Sequence, residues 1–216
     1  MRALRWIALI LFFVLVAVVA THSLNSINQD IGRHLKSGQI IWETGRVYKT
    51  NLFSFTEPSH PFINHHWLSE VVFYLLNGLI GLKGLIVFKA GVIVAAFALL
   101  WLAVRRTASH IPFLVAGIPA LLVFSSRTDV RPEIFSYLFL AYFLFAIFRA
   151  KYANEQKWLY PLPFVQIFWT NMHIYFMLGP TLLFFFLIDH LFHRQKPVSK
   201  FENWNLFRIS NLEFRI

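Results

Sequence analysis

The sequence contains no cysteine among its 216 residues, so it can form neither a disulfide framework nor a zinc site built on thiolates. Acidic side chains are also scarce, with ten Asp and Glu against twenty Lys and Arg. The centres of the long apolar segments carry almost no ionisable residue beyond Lys89. This scarcity argues against a transporter with a charged pathway through the bilayer.

Apolar residues dominate what remains. They make up 57% of the chain, which includes 25 Phe and has a mean hydropathy of +0.58. Such values are typical of polytopic membrane proteins, whose spanning segments must be helical to satisfy their backbone groups. The sequence therefore predicts an all-α membrane protein with about six transmembrane helices. The predicted spans are Trp6–Thr21, Leu85–Val104, Ile111–Phe124, Ile134–Phe148, Trp158–Thr170 and Tyr175–Phe192.

The net charge of +10 raises the question of nucleic-acid binding. The basic residues instead flank the ends of the apolar segments, as the positive-inside rule expects of a membrane protein with a cytoplasmic N-terminus. We therefore predict a multi-pass protein of the cytoplasmic membrane and no nucleic-acid partner. The first apolar segment is interpreted as a retained span, because Ala20-Thr21-His22 is a poor signal-peptidase site.

This topology places three loops on the outer face, at residues 22–84, 125–133 and 171–174. The first loop is predicted to contain two helices lying along the membrane, about Asn28–Ser37 and Asn64–Ile80. Alternatively, Asn64–Ile80 is itself a span, which would reverse all later topology; Glu70 and a weaker positive-inside fit argue against this. The loops at 105–110 and 149–157 are predicted to lie inside.

The first outer loop opens with Asp30, Arg33 and His34, spaced so that they share one helix face. A carboxylate at this place can accept a proton or coordinate a cation, and the planar guanidinium fits phosphate oxygens. The plainer interpretation is a solvated face whose charges fix the depth of the helix in the membrane. Further along the loop, His66 and Glu70 add an imidazole and a carboxylate.

Two more polar clusters fall on the same predicted side. Arg127, Asp129 and Arg131 crowd into the loop before the fourth span, where Glu133 suits the first helical turn. Arginines on the outer face oppose the positive-inside tendency, and phosphate binding is the simplest role for them. Asn171 and His173 follow at the outer end of the fifth span, where an aromatic-belt turn is an equally good interpretation.

The order of these motifs resembles that of the GT-C superfamily of polytopic glycosyltransferases. It is similar to the protein-mannosyltransferase and aminoarabinose-transferase groups over about residues 5–195. The motifs that carry the resemblance are Asp30-Ile-Gly-Arg-His-Leu-Lys-Ser-Gly38, Asn51-Leu-Phe-Ser-Phe-Thr56, Asn64-His-His-Trp-Leu-Ser-Glu70, Arg131-Pro-Glu-Ile-Phe135 and Trp169-Thr-Asn-Met-His173.

The resemblance implies transfer of a sugar from a polyprenyl-phosphate donor to a glycan, lipid or protein hydroxyl on the outer face of the membrane. By resemblance, Asp30 is the general base and Asp129 the second catalytic acid. Arg33, Arg127 or Arg131 would stabilise the departing phosphate. His34, His66, Glu70, Asn171 and His173 are further predicted substrate-binding residues. Some relatives use a divalent cation and others do not, so a metal cofactor stays open.

The last part of the chain differs from the rest. We divide the sequence into a transmembrane region at 1–195 and an atypical tail at 196–216, which is expected to be disordered. Within the tail, Asn205–Ile209 is nearly repeated at Asn211–Ile216. Since the family usually has more than six spans, we expect this chain to be an N-terminal fragment. The alternative function is that of a non-catalytic membrane protein, or of an inactive truncated fragment, that binds lipid-linked sugar phosphate.

Overall fold

The computed structural model describes residues 2–21, 30–127 and 129–193. These residues form helices and no strand apart from one isolated bridge between Thr50 and Pro61, so the predicted all-α class is confirmed. The tail at 196–216 and the start of the predicted Asn28–Ser37 helix lie outside the described residues. The helices are α1 Arg2–Ala20, α2 Ile31–Thr44, α3 Trp67–Val104, α4 His110–Ser125, α5 Glu133–Ala153, α6 Leu162–Met172 and α7 Leu178–His193.

Four segments of the described residues are helical, long and apolar enough to cross a membrane: Ala3–Ala20, Trp67–Val104, Glu133–Ala153 and Ile174–Phe192. The protein is therefore a multi-pass membrane protein. The predicted third and fifth spans coincide with α4 and α6, which have 16 and 11 residues. At a rise of 1.5 Å per residue these helices are about 24 and 17 Å long, shorter than the roughly 30 Å of a hydrocarbon core.

Helix α3 joins two elements that the sequence predicted separately, the second loop helix and the second span. Its 38 residues would extend about 57 Å if straight, but Gly81 interrupts the helix with φ 66° and ψ 179°. These angles are accessible essentially to glycine alone. The chain therefore changes direction at Gly81, between the segment that carries Glu70 and the segment that carries Lys89.

Packing is centred on α3 and α5, which contact each other along their lengths. Helix α2 lies against α3, α1 against α3 and α4, and α6 and α7 against α5. Many large apolar side chains on α1, α4 and α7 remain exposed, as expected of surfaces that face lipid rather than water. A lysine in an apolar span ordinarily extends its ammonium to the interface, but the side chain of Lys89 is fully buried.

The two ends of the helix bundle differ in what they bring together. At one end, Glu155 forms ion pairs with Arg106 at 2.8 Å and with Arg149 at 2.5 Å, and Trp6 packs on His110. The loops predicted to share the inner face are thus in contact. Hydrogen bonds from Trp158 and Arg149 lower the pKa of the Glu155 carboxyl.

Apolar residues beside the three predicted outer motifs meet at the other end. Ile31 and Leu35 of α2, Val130 of the second motif and Met172 of the third all pack on the cluster around Phe73. One apolar core therefore brings together segments that lie about 40 to 100 residues from Phe73 along the chain. The polar side chains of these motifs are placed around it.

Because of the backbone angles at Gly81, we predict opposite effects on stability when alanine replaces two glycines of α3. Gly81→Ala should lower the free energy of unfolding by about 1–3 kcal/mol, because an L side chain is strained at that φ. No other atom would crowd the added methyl group, so the effect isolates backbone strain. Thermal unfolding in detergent, followed by circular dichroism, measures it. Gly78→Ala, in the same helix with equally open space, is the control and should stabilise by roughly 0.5–1 kcal/mol. Equal melting temperatures for the two variants would contradict the assignment of strain.

Candidate functional site

The site is built on the crossing of α2 and α3, where glycine allows the two backbones to touch. A Cβ atom at Gly38 would overlap the backbone carbonyl group of Glu70. The close approach brings the polar faces of both helices together, and His34, Ser37 and Glu70 are buried between them. Ser69 and Glu70 at the start of α3 are thus buried in protein, and the apolar Leu68, Val72 and Leu76 of the same segment pack on the cluster around Phe73.

Glu70 is the centre of this buried polar cluster and has no solvent exposure. One carboxylate oxygen accepts a hydrogen bond from His34 Nδ1 at 2.9 Å, and the other accepts from Asn64 Nδ2 at 2.6 Å. The Arg33 guanidinium lies 3.8 Å from the first oxygen, which is an ion pair but too long for a hydrogen bond. Both oxygens of the carboxylate are therefore satisfied, as burial of a charge requires.

Asn64 connects the cluster to the loop that precedes α3. Its Oδ1 accepts a hydrogen bond from the backbone N–H of His66 at 2.9 Å, which fixes the start of the helix. Its Nδ2 also lies 3.4 Å from the Tyr48 hydroxyl, which is bonded to Ser37 Oγ at 2.8 Å. Burial raises the pKa of Tyr48 above its usual value. The side chains of α2, the loop and α3 thus form one network.

Three imidazoles form a column that links this network to the third motif. The ring of His66 lies between those of His34 and His173, with centroid distances of 6.1 and 5.4 Å. His173 Nδ1 is hydrogen-bonded to Ser136 Oγ at 2.8 Å, and Trp169 Nε1 donates to the same oxygen at 2.7 Å. Burial lowers the pKa of both His66 and His173 to about 4. Both rings are therefore neutral at pH 7.

Further hydrogen bonds hold the third motif against the start of α3. Trp67 Nε1 donates to Asn171 Oδ1 at 2.9 Å, and Ser69 Oγ donates to the backbone carbonyl of Met172. Because both donors lie in the first turn of α3, they fix the end of α6 relative to His66. Asn171 is thereby a structural contact between helices, whichever ligand the site holds.

The loop between α2 and α3 covers one side of the cluster. Its two arms pair between Lys49 and Phe62 and between Asn51 and His60, with backbone hydrogen bonds of 2.8 and 2.9 Å. The Tyr48 and Phe62 rings stack at 5.7 Å. A cavity of about 340 Å³ lies between this loop and the helices. Its lining residues are Arg33, Asn51, Phe53, Phe62, Ile63, His65 and His66.

The second motif, in the loop before α5, forms a separate charged group. Asp129 and Arg131 pair with each other at 3.0 Å, and both are partly exposed. Arg127 is exposed, and Glu133 lies in the first turn of α5 as predicted. The charge of Asp129 also acts on the buried Lys89 ammonium of α3. This loop is therefore linked to α3 by the electrostatic interaction of Asp129 with Lys89, not through a hydrogen bond to the glutamate network.

The structure brings together six of the predicted site residues: Arg33, His34, His66, Glu70, Asn171 and His173. Asp129 and Arg131 pair nearby, and Arg127 remains exposed. Asp30 immediately precedes α2, is exposed, and does not cap the helix with its carboxylate. The two predicted catalytic carboxylates thus differ, since Asp129 has an arginine partner and Asp30 faces solvent.

Sequence reasoning missed several residues of the network, namely Ser37, Tyr48, Phe53, Phe62, Ser69 and Ser136. Small hydroxyl residues in apolar helices carry no distinct sequence signal. The aromatic residues of the loop occur in a stretch with several rings, so the sequence does not distinguish those that line the site. Gly38 was the available signal, because a glycine inside a helix is costly unless another chain segment needs its space.

The divalent cation that some GT-C enzymes use requires several oxygen or nitrogen ligands. Among the described residues, no group of three or more His, Asp and Glu side chains could hold a metal ion. Glu70 is instead bonded to an imidazole and an amide, and Asp129 to a guanidinium. The part of the chain that the structure describes thus offers no fitting set of ligands for a metal, and the mechanism proposed below uses none.

The Gly38 contact predicts that α2 and α3 cannot tolerate an added methyl group between them. Gly38→Ala should destabilise the protein by several kcal/mol, because backbone atoms of Glu70 must move and the overpacked helices separate. Thermal unfolding in detergent measures the loss. Gly32→Ala, on the same helix with open space around it, should be neutral or slightly stabilising. A small effect at position 38 would show that the two helices do not touch there.

The buried carboxylate predicts a large effect for an isosteric change. Glu70→Gln should cost about 1–3 kcal/mol, since its amide group would face a second donor, either His34 Nδ1 or Asn64 Nδ2. Chemical or thermal unfolding of the two proteins gives the difference. The exposed loop residue Glu57 supplies the control, and Glu57→Gln should change stability by less than about 0.5 kcal/mol. Equal effects at the two positions would contradict the buried network.

Comparison of this chain with protein-family models, with curated proteins and with solved structures finds no match in any of the three. No relative therefore supplies a function or a set of catalytic residues. The functional inference has to start from the membrane helices, the buried polar cluster and the cavity beside Arg33.

Proposed function

We propose that the protein is a membrane glycosyltransferase that moves a sugar from a polyprenyl-phosphate-linked donor to an acceptor hydroxyl. The observation that carries this proposal is the convergence of three polar motifs, distant in sequence, at one end of a bundle of membrane-spanning helices. The order of these motifs resembles that of GT-C enzymes, as set out above. The sugar phosphate of a lipid-linked donor is its reactive group, and it lies next to the membrane surface, where the end of the bundle would meet it.

The proposal includes a finer topology. The N-terminus lies in the cytoplasm, and the site faces outward across the cytoplasmic membrane. The short helices α4 and α6 complete six crossings with their flanking residues. The contact between the 105–110 and 149–157 loops supports the assignment of both to the inner side, since Arg106 pairs with Glu155.

Asp30 is the proposed general base. It accepts the proton of the acceptor hydroxyl while the hydroxyl oxygen attacks the anomeric carbon of the donor sugar. The bond between that carbon and the phosphate oxygen breaks, polyprenyl phosphate leaves with the electron pair, and the configuration inverts. The exposure of Asp30 and its lack of a capping bond leave the carboxylate available for this role.

Positive charge around the motifs supports binding of the phosphate. Arg33 is 35% exposed and lies in the cavity wall, and Arg127 and Arg131 occur in the second motif. A guanidinium fork matches phosphate oxygens, and it stabilises the negative charge that grows on the leaving group. The paired Asp129 positions Arg131 in this scheme instead of acting as a second base.

One observation favours a second candidate, a non-catalytic protein that binds lipid-linked sugar phosphate. Glu70 is fully hydrogen-bonded and Asp129 is paired, so two of the three carboxylates near the site have structural partners. Under this alternative, the arginines bind the phosphate and Asp30 takes no part in chemistry.

The two candidates differ in turnover, which can be measured without knowing the acceptor. The full chain, purified into proteoliposomes, is given a panel of polyprenyl-phosphate-linked hexoses and pentoses together with membrane extract. Release of polyprenyl phosphate is the common readout. Asp30→Asn should slow release by about 10²–10⁴-fold, because the general base is lost. Its expression and melting temperature should be unchanged.

Glu43→Gln is the matched control, since Glu43 is an exposed carboxylate on the same helix. It should release polyprenyl phosphate at the wild-type rate. Full activity in Asp30→Asn would remove Asp30 from the mechanism. Donor binding without release, unaffected by Asp30→Asn, would establish the non-catalytic candidate instead.

A further inference from the structure

The cavity of about 340 Å³ beside α2 combines one fixed positive charge with two imidazoles, of which His66 is the less exposed, and an aromatic wall. Arg33 supplies the charge, His65 and His66 the imidazoles, and Phe53 and Phe62 the rings. The volume is at the lower end of the range for small-molecule sites, enough for a headgroup but not for a complete lipid-linked sugar. The other polar side chain in its lining is that of Asn51.

Arg33 is available to a ligand in this cavity. Its nearest carboxylate oxygen, on Glu70, is 3.8 Å away and already accepts a hydrogen bond from His34. A guanidinium has five N–H donors, and none of them is within hydrogen-bond distance of that oxygen. The ion pair instead keeps Arg33 oriented, and its guanidinium makes no hydrogen bond to another of the described residues, so its donors can bind an anion.

His66 differs from the two imidazoles on either side of it. His34 Nδ1 is bonded to Glu70 and His173 Nδ1 to Ser136, so both rings are held by the protein. His66 is held instead through its backbone N–H, which donates a hydrogen bond to Asn64 Oδ1. Its ring forms part of the cavity wall. The His66 ring is thus placed to meet a ligand.

Several charged groups determine the ionisation of this ring. Arg33 and His34 face it from α2, Glu70 from α3, His65 from the loop and His173 from the end of α6. Burial above all, together with the Arg33 charge and against the opposing charge of Glu70, keeps the pKa of His66 near 4 in the absence of a ligand. An anion in the cavity would add the opposite charge and raise the pKa again.

We propose that this cavity binds a tetrahedral oxyanion, a phosphate group, and that His66 takes up a proton when the anion enters. Arg33 provides the permanent charge and His66 a second charge that exists only in the complex. The anion is either the phosphate of a lipid headgroup or free phosphate. In the first case the inference rests on the proposed function and identifies where the phosphate of the donor or of the released polyprenyl phosphate binds.

Proton uptake makes the affinity depend on pH in a defined direction. We take the bound anion to restore the pKa of His66 from about 4 to its ordinary 6.5. The affinity for the anion then changes little above pH 7 and increases as the pH falls below 7. Between pH 8 and pH 5.5 the dissociation constant should decrease about tenfold. Sulfate is the probe of choice, because it stays a dianion throughout this range while phosphate itself titrates.

The first experiment uses the wild-type full chain in detergent and isothermal titration calorimetry with sulfate. At pH 6, titrations in two buffers of different ionisation enthalpy should show uptake of roughly 0.5–1 proton per sulfate bound. Absence of sulfate and phosphate binding between pH 5.5 and 8 would overturn the proposal, as would binding with no proton uptake. This measurement needs no variant, so a folding defect cannot obscure it.

Variants then assign the proton and the fixed charge. His66→Gln should bind sulfate with an affinity that changes less than about twofold over the same pH range. His65→Gln, at the exposed neighbour in the same wall, should keep the tenfold change. Arg33→Gln should weaken binding more than tenfold at every pH. An unchanged pH dependence in His66→Gln, with its thermal unfolding as in wild type, would remove His66 from the site.

Competition distinguishes the two sources of phosphate. If polyprenyl phosphate in detergent micelles displaces sulfate at concentrations at least tenfold below inorganic phosphate, the site binds a lipid headgroup. Equal potency identifies a site for free phosphate. Neither result depends on sugar transfer, so loss of the proposed transferase function would leave the anion site standing. Conversely, release of polyprenyl phosphate by a protein that binds no sulfate would overturn only the anion site.

Discussion

The contact between Gly38 of α2 and the backbone of Glu70 in α3 is the constraint on which the rest of the site depends. Two helices approach closely only where one of them has no side chain, and here that approach puts a carboxylate between them. A buried charge must be fully hydrogen-bonded, so His34 and Asn64 are required at their positions. Asn64 in turn fixes the first residues of α3 and hence the place of His66.

The polar network also explains how a loop helix can be stable next to a membrane. In water, an amphipathic helix buries its apolar face and exposes its polar face. Here Ser69 and Glu70 are buried with hydrogen-bond partners while Leu68, Val72 and Leu76 pack on the apolar core, so both sides of the helix meet protein. The same logic applies to Lys89, whose ammonium is buried within reach of the Asp129 charge rather than extended to the surface.

The charged side chains of the site form two groups. Some stabilise the fold through partners within the protein, and others remain available to a ligand. Glu70, Asp129 and Glu155 each have cationic or hydrogen-bonding partners within the protein. The Asp30 carboxylate, by contrast, is exposed to solvent. The Arg33 guanidinium lies in the wall of the cavity. A ligand that combines a hydroxyl to be deprotonated with a phosphate to be held fits this division, which is why lipid-linked sugar transfer is the function we favour.

The amino-acid sequence alone determined the helical class, the membrane setting and the polar motifs, because long apolar runs with basic flanks have few physical alternatives. It also predicted that Arg33, His34, His66 and Glu70 belong to a site, since ionisable groups near apolar segments are costly without a role. Only the tertiary structure decided that the polar side of the start of α3 is buried as well as the apolar side, because helical periodicity gives the two faces but not their surroundings. Tertiary contacts likewise decided that Glu70 is bonded to His34 and that Asp30 is not part of the network, because side-chain pairing across 36 residues depends on how closely the helices pack.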